Sequence, residues 1–343
     1  MNNVGIDVAD RASAMCVVDE HGEQLGQCEC ATQASALAEE LARWPLSRVI
    51  IESSPLAEWV ASVAERCGHE TVIIDARAAR HLVNSKKKTD ARDAYTLARL
   101  GQSGWYVEVH RKSASARVMR SRLQARQGLV RTQKAMAAQI RGLLKAHGVR
   151  VGRVAEGEFA QRVRELAGAE VPQLLESLEA LLELWARAGE QAKALKRSMQ
   201  RARVEPEHEA VAEQLQSVPG VGPLVSRAYV ATVDDPRRFH RAEAVPDYLG
   251  LSPSVHQTGE TEYRGRITKE GDELLRWHLV EAAHSLLNRG PDCALKRWGE
   301  ALRQRKGGAK AKVAVARKLA MLLYRLWLSG ERFDTQRGLA TAS

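Results

Sequence analysis

Short apolar segments alternate with polar turns over the first hundred residues. Three such segments, Val4–Val8, Ala14–Val18 and Gln24–Cys30, are separated by tight turns and predict an antiparallel meander of three strands. The periodicity then predicts alternating helices and strands, over Ala34–Arg43, Ser47–Ile51, Leu56–Cys67, Thr71–Ile74 and Asp90–Leu100, the last with Thr89 as N-cap. A meander followed by parallel crossovers is typical of a ribonuclease-H-like (resolvase-like) fold. We therefore expect an α/β domain over residues 1–108.

The middle of the chain has a helical period. Residues 110–150 contain many Lys and Arg residues and no Asp or Glu, and their apolar positions are Val118, Leu123, Val130, Ala137, Ile140 and Leu144. A second stripe, with steps of three and four, runs over 171–203 and includes Trp185. These patterns predict a basic coiled-coil arm over residues 109–206. Packing against a core is enough to explain the apolar stripe. A solvated face normally mixes charge signs, however, so the one-sided charge favours contact with nucleic acid.

Residues 207–335 read as a mostly helical domain. The turn Val218–Pro223 precedes a helix that begins near Leu224, and its glycines would let backbone N–H groups face a phosphate. This is the pattern of a helix-hairpin-helix motif, although a plain glycine turn between two helices is the alternative. An exposed loop rich in hydroxyl groups follows over Tyr248–Thr261, and a basic stretch comes after it. The fold class is therefore α/β plus all-α.

Composition narrows the class of protein. The 343 residues carry a net charge of +10, which suits a polyanionic partner but does not specify a fold. The five cysteines form no C-x-x-C pair, so we expect buried free thiols and a reduced, cytoplasmic protein. Because there is no run of about 18 apolar residues, no membrane span is expected.

Four acidic residues lie at positions where a catalytic or metal-binding carboxylate is expected. Asp7 lies in an apolar strand, Glu52 ends another, and Asp90 and Asp93 are three residues apart in the first turn of a helix. Singly, each has a structural explanation, such as an ion pair or a favourable helix N-terminus. Together they predict a convergent site for Mg²⁺ or Mn²⁺, which prefer hard oxygen ligands. Two such ions can activate an attacking oxygen and stabilise a leaving oxygen on phosphorus, so phosphodiester chemistry follows.

A nucleotide-binding interpretation also begins from Gly5-Ile6-Asp7, because sugar kinases and actin-like ATPases open in the same way. Those domains need a turn rich in glycine and hydroxyl groups after the aspartate. Here the turn over Val8–Ala12 has no glycine and carries an additional acid, Asp10. This argues against nucleotide binding.

Six ordered motifs resemble the DEDD-type insertion-sequence transposases, a family that includes bridge-RNA-guided recombinases and Piv-like DNA invertases. The resemblance covers about residues 3–335. The motifs are Gly5–Asp7, Ile50–Ser53, Lys88–Ala94, Val218–Gly222, Gly250–Pro253 and Ile267–Gly271. The resemblance implies a ribonuclease-H-like catalytic domain, a coiled-coil arm and a C-terminal transposase domain. It also implies that Asp7, Glu52, Asp90 and Asp93 are the metal-binding tetrad.

The same resemblance implies a covalent nucleophile toward DNA. Many members use a serine in a Ser-Gly step of the C-terminal loop, and this chain has Thr258-Gly259 at that position. Threonine carries a hydroxyl group, although its β-branch restricts χ1. We favour Thr258 by position, with Ser254 or Ser252 as substitutes and an impaired copy or a structural turn as alternatives.

The partners implied by the resemblance are the DNA of the element ends and target, a noncoding guide RNA, and further copies of the chain in a dimer or tetramer. The residues expected to contact nucleic acid are Lys86, Lys87, Lys88, Arg120, Arg126, Arg131, Gly220, Gly222, Arg264, Arg266 and Lys269. Two other hypotheses remain open: a metal-dependent nuclease for Holliday-like junctions without a covalent intermediate, and a nucleic-acid-binding protein without enzymatic activity.

Overall fold

The computed structural model describes residues 1–75, 89–201, 206–258 and 261–335, and within these it leaves the side chains of 255–258 and 261–264 undescribed. The chain divides into two compact units, Met1–Arg111 and Lys112–Ser343. The sequence predicted boundaries near 108 and 206.

The first unit is built on a five-stranded sheet with the strand order β3-β2-β1-β4-β5. Its strands are β1 Asn3–Val8, β2 Ala12–Val18, β3 Gln24–Ala31, β4 Arg48–Glu52 and β5 Glu70–Ile74. The first three strands pair antiparallel, whereas β1 with β4 and β4 with β5 pair parallel. The predicted meander and parallel crossovers are both confirmed. The topology is compatible with a ribonuclease-H-like domain.

Helices cover both faces of this sheet. Helices α1 (Ala34–Ala42) and α2 (Ala57–Arg66) share a core with Val4, Ile6 and Ile51 on one face. Helix α3 (Asp90–Ser103) packs on the opposite face. Thr89 occupies the N-cap position of α3 as predicted, but its side chain makes no capping hydrogen bond. The backbone N–H groups of Arg92 and Asp93 bond instead to the Thr89 carbonyl oxygen.

The second unit is helical, with one hairpin. Its helices are α4 Ala114–Ala146, α5 Phe159–Glu170, α6 Leu175–Arg201, α7 Pro206–Leu215, α8 Pro223–Val233, α9 Ala244–Tyr248, α10 Glu273–Arg289, α11 Ala294–Lys306 and α12 Gly308–Ser329. The hairpin strands are β6 Pro253–Thr258 and β7 Thr261–Ile267. The sequence predicted an exposed loop here. Paired strands form because β-branched and aromatic residues alternate with polar ones on both sides of Gly259-Glu260.

Helices α4 and α6 lie side by side and antiparallel. Met119 and Leu123 near the start of α4 share a core with Met199 at the end of α6. Ile140 near the end of α4 shares another core with Leu178 near the start of α6. Val118, expected in the apolar stripe of α4, is 53% exposed. The buried positions in that part of the helix are Ala116 and Met119. The apolar stripe therefore runs through these two residues, and Val118 lies outside it.

In the part of the chain that the structure describes, no helix is long and apolar enough to cross a membrane.

Candidate active site

Asp7 and Glu52 lie at the same edge of the sheet. Asp7 is near the carboxyl end of β1, and Glu52 is the last residue of β4. The two strands are parallel, with Ile6 opposite Ile51, so Asp7 and Glu52 follow the last paired residues in the same register. Adjacent strands are about 4.8 Å apart. The register therefore brings the backbones of the two acidic residues close together.

Strand alternation also places the two acids on one face. Ile6, Val8 and Ile51 pack toward α1 and α2. Successive residues of a strand point to opposite faces, so Asp7 and Glu52 point toward the face that α3 covers. Ile50, two residues before Glu52, packs there with Leu97 and Leu100 of α3.

A close approach at Gly5 determines where α3 crosses the sheet. A Cβ atom at Gly5 would lie 2.0 Å from the Ala94 carbonyl oxygen and 2.4 Å from the Ala98 nitrogen. Further along α3, a Cβ atom at Gly101 would lie 3.1 Å from Oδ1 of Asn3, at the other end of β1. Helix α3 thus runs back along β1 from its carboxyl end. Its first turn, with Asp90 and Asp93, extends toward the edge occupied by Asp7 and Glu52.

The four carboxylates share a face but differ in exposure. Asp90 is exposed, whereas Asp7, Glu52 and Asp93 are half-buried. Among the described residues, no group of three or more His, Cys, Asp or Glu side chains is close enough to hold a metal ion. The donor type and the common face fit a hard divalent cation, but the side-chain spacing does not form a closed ligand cage.

The cysteines do not contribute to this site. All five are free thiols as predicted, but only Cys16 and Cys293 are buried, and Cys28, Cys30 and Cys67 are half-buried. Burial raises the pKa of the Cys16 thiol to about 11. Burial, with a smaller effect from Glu40, raises the pKa of Cys28 to about 11 as well. Both groups are therefore neutral at pH 7 and are poor nucleophiles or metal ligands.

Two protein-family models match the sequence of this chain. A transposase model of the DEDD type from the IS110 group matches residues 4–148, which include all four carboxylates. A second model, for the transposase IS116/IS110/IS902 family, matches residues 212–298. The chain belongs to the DEDD-type insertion-sequence transposases. The nuclease for Holliday-like junctions is not favoured by these matches.

Several transposases are similar to this chain along nearly its whole length. The transposase for insertion sequence element IS1111A of Coxiella burnetii is 27% identical, over 96% of this chain and 90% of its own length. A "Probable family 20 transposase" of Pseudomonas aeruginosa is 28% identical, over 95% of this chain and 96% of its own. The transposase for IS1328 of Yersinia enterocolitica is 23% identical over 96% of this chain.

The predicted nucleophile lies in the hairpin of the second unit. Thr258 is the last residue of β6 and pairs with Thr261 of β7. The side chains of Thr258 and Arg264 are outside the described part. The Ser252 hydroxyl donates a hydrogen bond to Asp247, so it is engaged within the fold. Arg266 and Lys269, at the base of the hairpin, are exposed.

The glycine turn before α8 has a clear packing role. Gly220 has φ +88°, and a Cβ atom there would lie 2.5 Å from the Ala282 carbonyl oxygen of α10. Gly222 is the N-cap of α8 and has open space around its Cα. Close packing between the turn and α10 therefore requires glycine at 220, while position 222 leaves the helix N-terminus accessible.

Two of the predicted nucleic-acid contacts on α4 are paired within the second unit. Arg120 donates to Asp272 at 2.5 Å and to Thr232 at 2.7 Å, and its side chain is only 18% exposed. Arg131 pairs with Glu273 at 2.5 Å. The sequence did not identify Asp272, which also caps α10 by accepting from the Leu275 N–H. Arg126 lines an open cleft. Lys86, Lys87 and Lys88 lie outside the described residues.

Proposed function

We propose that the chain is a divalent-metal-dependent DNA transposase that cuts and rejoins DNA for the movement of an insertion sequence. The observation that carries the proposal is the common position of Asp7 and Glu52 at adjacent strand ends, beneath the first turn of α3 with Asp90 and Asp93. Two adjacent parallel strands carry acids at the same edge of the sheet, and the first turn of α3 extends toward that edge. A structural role for each acid taken singly does not require this arrangement.

The tetrad would hold Mg²⁺ or Mn²⁺. When bound, such ions supply activation of an attacking oxygen and stabilisation of a leaving oxygen on phosphorus. The residues themselves would orient the ions: Asp7 and Glu52 stand on the sheet, and the packing of α3 on Gly5 would hold Asp90 and Asp93 near them. Within the family fold, we interpret the first unit as a ribonuclease-H-like domain and α4 with α6 as a coiled-coil arm.

Thr258 would be the hydroxyl nucleophile of the C-terminal domain. Its oxygen would form a bond to a DNA phosphorus as the hydroxyl releases its proton, the bond from phosphorus to one sugar oxygen would break, and that sugar oxygen would take up a proton in exchange. DNA of the element ends is the substrate, and the helix-hairpin-helix-like turn at Gly220 and Gly222 would contact its phosphates through the N-terminus of α8. A noncoding guide RNA and assembly into a dimer or tetramer complete the proposal.

The metal site is tested by a matched pair of substitutions. Glu52→Gln removes one tetrad carboxylate, and Glu39→Gln makes the same change at an exposed position of α1, on the opposite face of the sheet. We expect Glu52→Gln to lose Mn²⁺ binding, measured by calorimetry, and to reduce strand cleavage at least 100-fold. Glu39→Gln should match the unchanged protein in both measurements. Equal Mn²⁺ binding by all three proteins would contradict the assignment.

The covalent step is tested separately by trapping. We expect a denaturation-resistant protein–DNA adduct from the unchanged chain, its loss on Thr258→Ala, and its retention on Thr258→Ser. If Thr258→Ala still forms the adduct and Ser254→Ala does not, the nucleophile is Ser254. Cleavage without any adduct would instead support the junction-nuclease alternative.

A further inference from the structure

An open cleft lies between α4 and α6, beside a 3₁₀ turn at Glu156–Glu158. Its volume is about 500 Å³, which is in the range of small-molecule sites and holds one nucleotide. Its aromatic wall is formed by Phe159 and Trp185, whose ring centroids are 5.1 Å apart. Phe159 is 3% exposed, whereas Trp185 is only half-buried and borders the open space.

Packing between α4 and α6 does not account for the whole Trp185 side chain. The sequence pattern treats Trp185 as one of the apolar positions that join α4 and α6. The side chains that this packing actually buries are Leu178, Leu182, Ala188, Gly189, Ala192 and Met199. Trp185 instead contributes part of its surface to the cleft. Gly189 on the same helix leaves room for the Gln133 side chain of α4, because a Cβ atom there would lie 2.4 Å from Nε2 of Gln133.

Cations surround the aromatic wall. The basic residues that line the cleft are Arg126, Lys134, Arg141, Lys193 and Lys196, and the single acidic lining residue is Glu156. Within the described ranges, only Lys193 among these cations has an acidic partner, Glu156 at 3.0 Å. The excess positive charge thus faces the cleft rather than internal carboxylates.

The two guanidinium groups at the cleft differ in their contacts. The Arg141 guanidinium lies 5.1 Å from the Phe159 ring centroid and donates to the Gly152 carbonyl at 2.6 Å. The Nε atom of Arg126 is buried and makes no hydrogen bond to any described residue. A buried donor without a partner is costly, and the Arg126 residue also lines the cleft. Lys134, at the rim, lies 6.0 Å from the Trp277 ring centroid of α10.

We infer that this cleft binds a single-stranded nucleic-acid segment, with one unstacked base against Trp185 and the flanking phosphates on Lys134, Lys196 and Arg126. An aromatic wall with a cationic rim is the arrangement that binds single strands without sequence preference. A duplex cannot use the ring, because its bases already stack on one another. The inference rests on the proposed function, since that function supplies the nucleic acid.

The charge contribution is tested by two double variants of the full chain. Lys134→Ala with Lys196→Ala removes two exposed cations from the cleft. Lys145→Ala with Arg187→Ala removes two exposed cations from the same two helices outside it. The probes are fluorescein-labelled ten-nucleotide oligouridylate, oligothymidylate and a DNA duplex, measured by anisotropy. For the cleft variant we expect about tenfold weaker single-strand binding. Its slope of log K against log salt should decrease by about 1.4, or 0.7 for each lost phosphate contact.

The stacking contribution is tested at Trp185. Trp185→Ala should weaken single-strand binding about tenfold without changing the salt slope, and Trp185→Phe should retain most of the affinity. Preference for the RNA strand would identify the guide as the occupant, and preference for the DNA strand would identify a displaced element strand. Equal losses in both double variants, or duplex binding as tight as single-strand binding, would overturn the inference.

These results are independent of the catalytic proposal. Glu52→Gln is expected to lose cleavage and metal binding while it keeps the affinity for the oligonucleotides. The cleft variant is expected to keep Mn²⁺ binding. Failure of one proposal therefore leaves a measurable outcome for the other.

Discussion

Gly5 controls both the packing of α3 and the position of half the proposed tetrad. A Cβ atom at this position would lie 2.0 Å from the Ala94 carbonyl oxygen and 2.4 Å from the Ala98 nitrogen, and both obstacles are helix backbone. Ordinary van der Waals contact begins near 3.4 Å, so Gly5→Ala requires α3 to move by about 1.4 Å. Backbone atoms cannot rotate away as a flexible side chain can.

The expected cost follows from this displacement. Overpacking a core by one methyl group destabilises a protein by about 1–3 kcal/mol, and we expect Gly5→Ala to reach at least the upper value. A misplacement of about 1 Å at catalytic groups reduces a rate about 100-fold. We therefore expect reduced hydrogen-exchange protection in β1 and α3 and a comparable loss of strand cleavage. Hydrogen exchange is the suitable assay because it locates the loss within the first unit.

A matched substitution separates this steric effect from the general effect of replacing glycine. A Cβ atom at Gly128, on the exposed side of α4, would have no atom within 4 Å. Gly128→Ala should therefore stabilise α4 by about 0.5–1 kcal/mol through helix propensity. If Gly5→Ala left both exchange protection and cleavage unchanged, the position assigned to α3 over the carboxyl end of β1 would be refuted.

Three further predictions concern the second unit. Gly220→Ala, at φ +88° and against an α10 carbonyl, should destabilise the unit by about 2 kcal/mol or more, measured by urea unfolding. Asp272→Ala should cost about 3 kcal/mol in the same assay, because it removes a helix cap and leaves the partly buried Arg120 unpaired, whereas Arg120→Ala with Asp272→Ala should cost less than the sum of the single changes. Burial, reinforced by Arg126 and opposed by Asp272, lowers the pKa of His278 from 6.5 to about 4. Stability from neutral His278 should be complete above pH 6.5 and be lost, by up to about 3 kcal/mol, as the pH falls toward 4, and His278→Gln should flatten the dependence of the unfolding midpoint over that range.

Periodicity was sufficient for the sheet and for the long helices. The predicted strands and helices of the first unit agree with the structure to within about three residues, because the strands are short apolar segments bounded by turns and the helices show a helical period. Periodicity predicted the wrong buried position at Val118. Several apolar residues there fit a helical stripe nearly equally well, and only packing against the neighbouring helices selects Ala116 and Met119. Periodicity also missed the β6–β7 hairpin and helix α5, although α5 carries a short apolar stripe of Phe159, Val163 and Ala167.

The candidate site, too, could be predicted from the sequence only in part. The residue types and order of Asp7, Glu52, Asp90 and Asp93 were readable from the chain, because an acid that interrupts or ends an apolar strand is costly without a partner. Their common face was not readable, since it depends on the register of Ile6 opposite Ile51 and on the contact of Gly5 with α3. Register and helix crossing are set by contacts between residues far apart in sequence.

The basic arm shows most clearly what tertiary structure decides. By itself the sequence determined that α4 is a long helix with no negative charge, because helix propensity and charge are local properties. Only the fold decided which of its cations are available: Arg120 and Arg131 face Asp272 and Glu273, while Lys134 faces an open cleft. Ion pairing depends on where other helices place their acids, and no local pattern contains that information.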